Sequence, residues 1–319
     1  MIILRPDHTT IDLWTSPGEE ATRFAAEEYR QAVLASPAGE PVLLIHPVGG
    51  ADVNAAIVNL QDFTTERLRH TIPWLPEWNQ LSCNIAEELK RMAPARKILV
   101  AFDDFLYRDL PESTRLYALP QQFLTEPYRR HGNDGLAHSW AALQNQNAGA
   151  LVTIHLANRS TLCGFTEGKI AATGCGYSPL DGLPGRGTCG KIDPSLAMML
   201  SEKLGIEAAT RLLTQESGWM AIAESKDFAD VLASNAPGDS LARGMWTNEL
   251  LKAIGAICAH LNGMEQLYLF GEAPALLEQT ARLLRERLPY TGGMVLSTCC
   301  TTPGKIYTEL ALTLLNGRG

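Results

Sequence analysis

Residues 176–194 read GYSPLDGLPGRGTCGKIDP, a turn-forming stretch between two apolar runs that are strand-like or helical in pattern. It holds several glycines, three prolines and a set of small polar residues. Glycine lets a backbone come close to an anion, and a tight turn can aim successive N–H groups at one.

Outward from this turn, strands and helices alternate. MIILRPDHTTIDLW (Met1 to Trp14) reads as a β-hairpin, with apolar runs either side of a polar turn at Pro6 and Asp7. Gly18 to Leu34 has a helical pattern, and PVLLIH (Pro41 to His46) reads as a buried strand ending at Pro47 and Gly49-Gly50. A short helix is expected over Asn84 to Met92, and a strand over Lys97 to Phe102. AGALVTIHL (Ala148 to Leu156) reads as a strand, and Thr161 to Phe165 with Lys169 to Ala172 as a hairpin turning at Glu167-Gly168. Beyond the glycine-rich stretch the period changes to 3.6, predicting a helix over Pro194 to Leu213. Helices follow at Asn248 to Leu261, Pro274 to Arg287 and Ile306 to Leu315, with strands at Gln266 to Phe270 and Gly293 to Ser297. This order predicts an α/β protein of two related domains with a cleft between them. The N-terminal domain is expected over residues 1–140, with the C-terminal helix able to return to it, and the second over 141–319.

Composition narrows the function. With 319 residues, 45% of them hydrophobic, the chain can bury sizeable cores in one or two domains. The net charge of −8 and the lack of any basic stripe argue against a nucleic-acid partner. No apolar run is long enough for a bilayer span, and Arg5 and Asp7 interrupt the apolar start too early for a signal peptide. The seven cysteines are irregularly spaced with no CxxC pair, so neither a disulfide scaffold nor a zinc site is expected, and a reducing, cytoplasmic setting fits best.

An ordered series of segments resembles the acetate kinase family. FDDFLYRDLP (Phe102 to Pro111), YRRHGNDGLAHSW (Tyr128 to Trp140), HLANRS (His155 to Ser160) and the glycine-rich stretch match family segments in family order. So do KDFADV (Lys226 to Val231) and LKAIGAICAHLNGMEQLYLFGE (Leu251 to Glu272). The resemblance implies the two-domain actin-like, sugar kinase-like (ribonuclease H-like) fold with an interdomain cleft. It implies ATP and Mg²⁺ as cofactors, and a small carboxylic acid and a nucleotide as ligands. A homodimer is expected.

Matching residue by residue, the resemblance places Asp103 beside the transferred phosphate as a catalytic and Mg²⁺-binding carboxylate; the plainer reading is a strand-end turn residue. His138 matches the second histidine of its segment and takes a catalytic role, or that of a buried structural histidine. The first histidine of that segment is replaced by Asp134, whose charge would repel an anion. His155 and Asn158 match a phosphate loop whose glycines have become Ala157 and Arg159. In the glycine-rich stretch the family's arginine position holds Thr188. Arg186, beside Gly187, and Lys191 bring positive charge nearby, so Arg186 is assigned a catalytic role and Gly187 a place in the cofactor loop. Asp227 and Gly271 match the nucleotide end, where the family's neighbouring arginine is Ala229 and its longer glycine turn is Gly271-Glu272-Ala273.

Other family features are absent. The hairpin turn reads Arg5-Pro6-Asp7-His8-Thr9-Thr10: Pro6 lacks a backbone donor, and Asp7 adds negative charge. His46-Pro47-Val48-Gly49-Gly50 lacks the substrate-binding arginine, Thr71 to Glu77 lacks a histidine, and Thr301 to Gly304 lacks a glutamate. The resemblance therefore supports an acetate kinase-like phosphotransferase that makes an acyl phosphate from ATP and a small carboxylic acid. The alternative is a catalytically degenerate homologue with a binding or regulatory role. A third possibility is a cleft that uses Asp103, Asp134 and His138 for another reaction.

Overall fold

The computed structural model describes residues 1–7, 9–50, 53–125, 128–178, 180–288 and 293–317, without the side chain of Glu77. His8 of the hairpin turn, Pro179 of the glycine-rich stretch and the Glu77 side chain thus lie outside the described residues. The chain divides into two compact units, one of Met1–Leu143 with Thr301–Gly319 and the other of Gln144–Cys300.

The first unit is built on strands β1 (Ile2–Pro6), β2 (Thr10–Trp14), β3 (Thr22–Ala25), β4 (Val42–His46), β5 (Ile57–Asn59) and β6 (Ile98–Phe102). They form one sheet in the order β3-β2-β1-β4-β6-β5. β1, β4 and β6 are parallel neighbours, with Leu4 opposite Leu44 and His46 opposite Phe102. Strands covered on both faces read as unbroken apolar runs, and IILRP, VLLIH and ILVAF are almost wholly buried. Short helices α1 (Tyr29–Leu34) and α2 (Thr65–Arg69) precede the long α3 (Pro76–Met92). α3 packs on β1 and β4. Its Leu81, Ile85 and Leu89 recur every fourth residue and are buried in the same core as Ile2, Leu44 and Val100. α4 (Glu112–Arg115) and α5 (Gly135–Gln144) follow β6.

The second unit carries β7 (Ala150–Leu156), β8 (Thr161–Thr166), β9 (Lys169–Thr173), β10 (Gln266–Gly271) and β11 (Val295–Cys300), in the order β11-β10-β7-β8-β9. Its helices are α6 (Pro194–Leu204), α7 (Ile206–Gln215), α8 (Phe228–Ala233), α9 (Pro237–His260) and α10 (Pro274–Arg287). α9 lies against β7, β8 and β9. Its Ala242, Trp246, Leu250, Ile254 and Ile257 join Val152, Ile154, Leu162 and Leu269 in the core. The closing helix, α11 (Pro303–Leu315), belongs to the first unit, where it packs on β1 and β5.

The two sheets share one path. Each begins with an antiparallel meander of three strands, and two parallel strands are then added beside the first strand of that meander. Among the described residues, β5, antiparallel to β6, is the strand without a counterpart. Among the described residues no helix is long and apolar enough to cross a membrane.

Local pattern and structure part in a few places. The expected helix from Gly18 to Leu34 instead contains β3, because Thr22–Ala25 pairs along the free edge of β2. The expected helix from Pro194 to Leu213 is two helices, broken at Gly205, whose φ of 83° lies outside helical space. α3 and α9 begin earlier than expected, each with a proline in its first turn.

One buried polar knot holds the turn after β4. His46 Nδ1 lies 2.8 Å from Ser82 Oγ, and Nε2 lies 2.8 Å from Thr71 Oγ1. Thr71 already donates its hydroxyl hydrogen to the Leu68 carbonyl at 2.6 Å. Nε2 therefore carries the ring hydrogen and Nδ1 accepts from Ser82. Burial lowers the His46 pKa to about 4. The stabilising contribution of neutral His46 is complete above the unfolded pKa of about 6.5 and is lost as pH falls toward 4. Urea denaturation should show His46→Asn to be less acid-sensitive than wild type, by on the order of 2 kcal/mol between pH 6.5 and 4.5. Equal acid sensitivity would refute the assignment.

Candidate active site

Because β1, β4 and β6 run parallel, their carboxyl ends fall along one edge of the first sheet. Ligands of α/β sheets bind at such ends. Here the chain leaves as the β1–β2 turn at Asp7, the turn Pro47 to Gly50, and the 3-10 turn Asp103–Asp109.

Asp103 sits at the end of β6, buried, and its Oδ1 accepts from the Leu136 N–H at 3.2 Å. Its pKa is raised to about 7, first by burial and then by the negative charge of Asp134; Asp104 adds to this, while the Leu136 N–H and Arg5 oppose it. Asp134 has the left-handed φ of 55°, and its carbonyl accepts from the His138 N–H one turn into α5. His138 is fully buried.

A second group lies on the same unit. Arg5 donates to Asp12 Oδ2 at 2.8 Å and to the Tyr307 hydroxyl of α11 at 3.3 Å. Asp12 also accepts from Arg23 at 2.7 Å. Burial works against the Arg5 charge, but Tyr307, Asp12 and Asp134 outweigh it and hold its pKa above the usual value. Burial raises the Tyr307 pKa.

Asp104 has other partners than Asp103. Its Oδ1 accepts from the Gly49 and Gly50 N–H groups at 3.0 and 2.7 Å. Its Oδ2 lies 3.5 Å from His131 Nδ1, and the His131 ring stacks near Trp74. In the β1–β2 turn the Asp7 N–H donates to the Thr10 carbonyl at 2.7 Å, and the Asp7 carboxylate accepts from the Trp78 indole at 2.9 Å. Pro6 offers no backbone N–H, and the Asp7 N–H is already engaged.

On the second unit, His155 is buried near the end of β7 with its ring stacked on Phe270, 4.9 Å between centroids. Asn158, exposed in the following turn, accepts the Arg186 N–H on its carbonyl at 2.7 Å, so two sequence-distant assignments meet here. The loop carrying Arg186 is fixed through its backbone. The carbonyls of Gly185, Arg186 and Gly187 accept from Trp219, Met220 and Ser217, and Lys191 donates to Gly182. The side chains of Arg186 and Lys191 are exposed, while Thr188 is buried. A side chain at Gly187 would come within 2.7 Å of the Gln215 carbonyl.

Asp227 caps α8 by accepting from the Ala229 N–H at 2.8 Å. Gly271 ends β10, where an added Cβ would lie 2.3 Å from the Leu156 carbonyl. Sequence reasoning missed Asp239 in the first turn of α9. It accepts from the Glu224 and Ser225 N–H groups and from the Ser225 hydroxyl, and these bonds, Ser225 first, lower its pKa to about 2. An acid in a first helical turn was the available signal. Thus the rim of the first sheet offers buried carboxylates, and the loop on the second unit offers exposed cations.

Comparison with known proteins gives a consistent family. Residues 23–272 match the model of the Acetokinase family. The acetate kinase of Sulfurovum sp. (strain NBC37-1) is 28% identical over 250 residues, covering 72% of this chain and 62% of the relative. This chain spans about three fifths of the length of the curated relatives it matches. Among solved structures, an acetate kinase from Porphyromonas gingivalis superposes with a TM-score of 0.78 at 16% identity, covering 98% of this chain and 99% of that one. A propionate kinase from Francisella tularensis subsp. tularensis SCHU S4 gives 0.77 at 16%, covering 99% and 98%. At such identities the likeness shows the fold, which is the actin-like, sugar kinase-like α/β type.

Asp103 provides a test of the rim. A carboxyl with a raised pKa adds stability that is complete below the unfolded value of 3.8 and is lost as pH rises through about 7. This slope is opposite to that of His46. Asp103→Asn should raise the melting temperature at pH 8 by about 2–4 °C, with the gain shrinking toward pH 4. A variant that melts lower at pH 8 would show that the charged form is not the strained one.

Proposed function

We propose that this chain, which belongs to the acetokinase family, is an acetate kinase-like phosphotransferase. It would move the terminal phosphoryl group of ATP to a small carboxylic acid, giving an acyl phosphate and ADP. The observation that carries this reading is Asp103, a buried carboxyl at a strand's carboxyl end whose ionisation is opposed by burial and by Asp134. A divalent cation favours the charged form of such a group.

The donor set fits Mg²⁺, which is commonly held by one or two carboxylates with substrate oxygens and water. Asp103 would hold the ion, which when bound neutralises charge on phosphoryl oxygens. On the second unit, the exposed Arg186 and Lys191 fit anionic oxygens, with Arg186 the better clamp because its fork binds two at once. The carbonyl of Asn158 fixes the backbone from which Arg186 projects. His155, stacked on Phe270 near the end of β7, precedes the turn that carries Asn158. Asp227 and Gly271 are kept as nucleotide-end positions, supported by the family match.

A homodimer belongs to this reading, supported by α6, which has no buried residue and exposes Leu196, Met198 and Met199. The free state of all seven cysteines supports a reducing, cytoplasmic setting.

A second reading is a member of the family that has lost transfer and keeps a binding or regulatory role. It is favoured by the carboxylates of Asp7 and Asp104, which occupy turn N–H and indole donors at the rim, and by the buried Thr188.

A hydroxamate assay with acetate, propionate and butyrate should detect acyl phosphate that depends on MgATP. Arg186→Ala should lower kcat about 10- to 10³-fold, and Asp103→Asn about 10²-fold or more. Calorimetry showing no MgATP binding, together with no product from any of the three acids, would leave the second reading in its place.

A further inference from the structure

We infer that the paired amides of Gly49 and Gly50 form a carboxylate-binding nest that Asp104 fills from within, so that an external carboxylate enters only when the Asp104 carboxyl is removed. Both N–H groups converge on one oxygen, Oδ1, at 3.0 and 2.7 Å. Successive amides aimed at one point make an anion-binding concavity. The approach is close: a Cβ on Gly50 would lie 2.8 Å from Asp104 Oδ1 and 2.7 Å from Phe105 Cα. Asp104 is only 3% exposed. Its other oxygen, Oδ2, is buried, makes no hydrogen bond and faces His131 Nδ1 at 3.5 Å.

The frame around the nest is rigid. The Asn79 side chain accepts from the Val48 N–H and donates to the carbonyls of Val48 and Thr71, tying the turn to α3. His46 at the end of β4 is held by Ser82 and Thr71. Removing the carboxylate therefore leaves two buried donors in place without a partner, a costly arrangement that an anion of the same shape relieves. Formate carries that group on the smallest possible body, whereas the methyl group of acetate would meet the Cβ that alanine keeps. The inference does not depend on phosphoryl transfer: it concerns Asp104 and the turn after β4, and it holds whether or not the chain is a kinase.

The test is thermal unfolding of the full chain, as wild type, Asp104→Ala and Asp104→Asn, in sodium formate, sodium acetate or sodium chloride at equal ionic strength. Asp104→Ala should melt below wild type in chloride and recover by about 3 °C or more in millimolar formate, and by less in acetate. The quantity read is the excess over wild type, so a carboxylate site elsewhere, including one for the acceptor acid of the proposed reaction, cancels. Asp104→Asn retains an acceptor for both amides and should show no excess. If Asp104→Ala does not fold alone, the comparison becomes the yield of folded protein after refolding in formate or in chloride. No excess recovery in Asp104→Ala, no gain in refolding yield, or an equal response in Asp104→Asn would each overturn the inference.

Discussion

The parallel pairing of β1, β4 and β6 is the constraint on which the rest of the first unit depends. Parallel strands need both faces covered, which demands the apolar runs of these segments and the helices that pack on them. Parallel direction also brings three chain exits to one rim. Residues far apart in sequence, Asp7, Gly49, Gly50 and Asp103, are therefore placed at equivalent strand ends. Whatever chemistry the unit performs is set by what those exits carry, and here they carry carboxylates.

Charge at this rim is arranged by engagement with fixed donors. Arg5 is shared with Asp12 and Tyr307, Asp7 is tied to the Trp78 indole, and Asp104 is tied to two amides. Asp103 accepts from the Leu136 N–H and faces a neighbouring acid, and burial with the charge of Asp134 raises its pKa to about 7. Asp104 differs in its partners, with two amide N–H groups on one oxygen where Asp103 accepts from the Leu136 N–H. On the second unit the arrangement is reversed. Backbone bonds hold the loop while the cationic ends of Arg186 and Lys191 remain in solvent.

Much of this was legible in the sequence. The hairpin of β1 and β2, the strands β4, β6, β7 and β10, and the hairpin turning at Glu167-Gly168 follow from apolar runs and turn residues. The family and the fold type followed from the ordered segments. β3 was illegible because its existence depends on the free edge of β2, not on its own pattern, and only Gly205 marked the break between α6 and α7. Within the candidate site, the sequence placed Asp103 at a strand end. It could not show that Asp104, the next residue, would find its partners at Gly49 and Gly50, since that contact spans more than fifty positions. Nor could it show that Asn158 and Arg186 share a backbone bond, which tertiary packing alone decides.

The first unit is split in sequence, with α11 returning to it after the whole of the second unit. Tyr307 of α11 supplies one of the partners of Arg5, and Glu309 accepts from the Trp140 indole at 2.8 Å. During translation the N-terminal sheet thus emerges from the ribosome long before the helix that completes it. Until α11 has been made, β1 lacks the helix that packs on it, and a nascent chain stalled before that point holds an unfinished first unit although the second is complete.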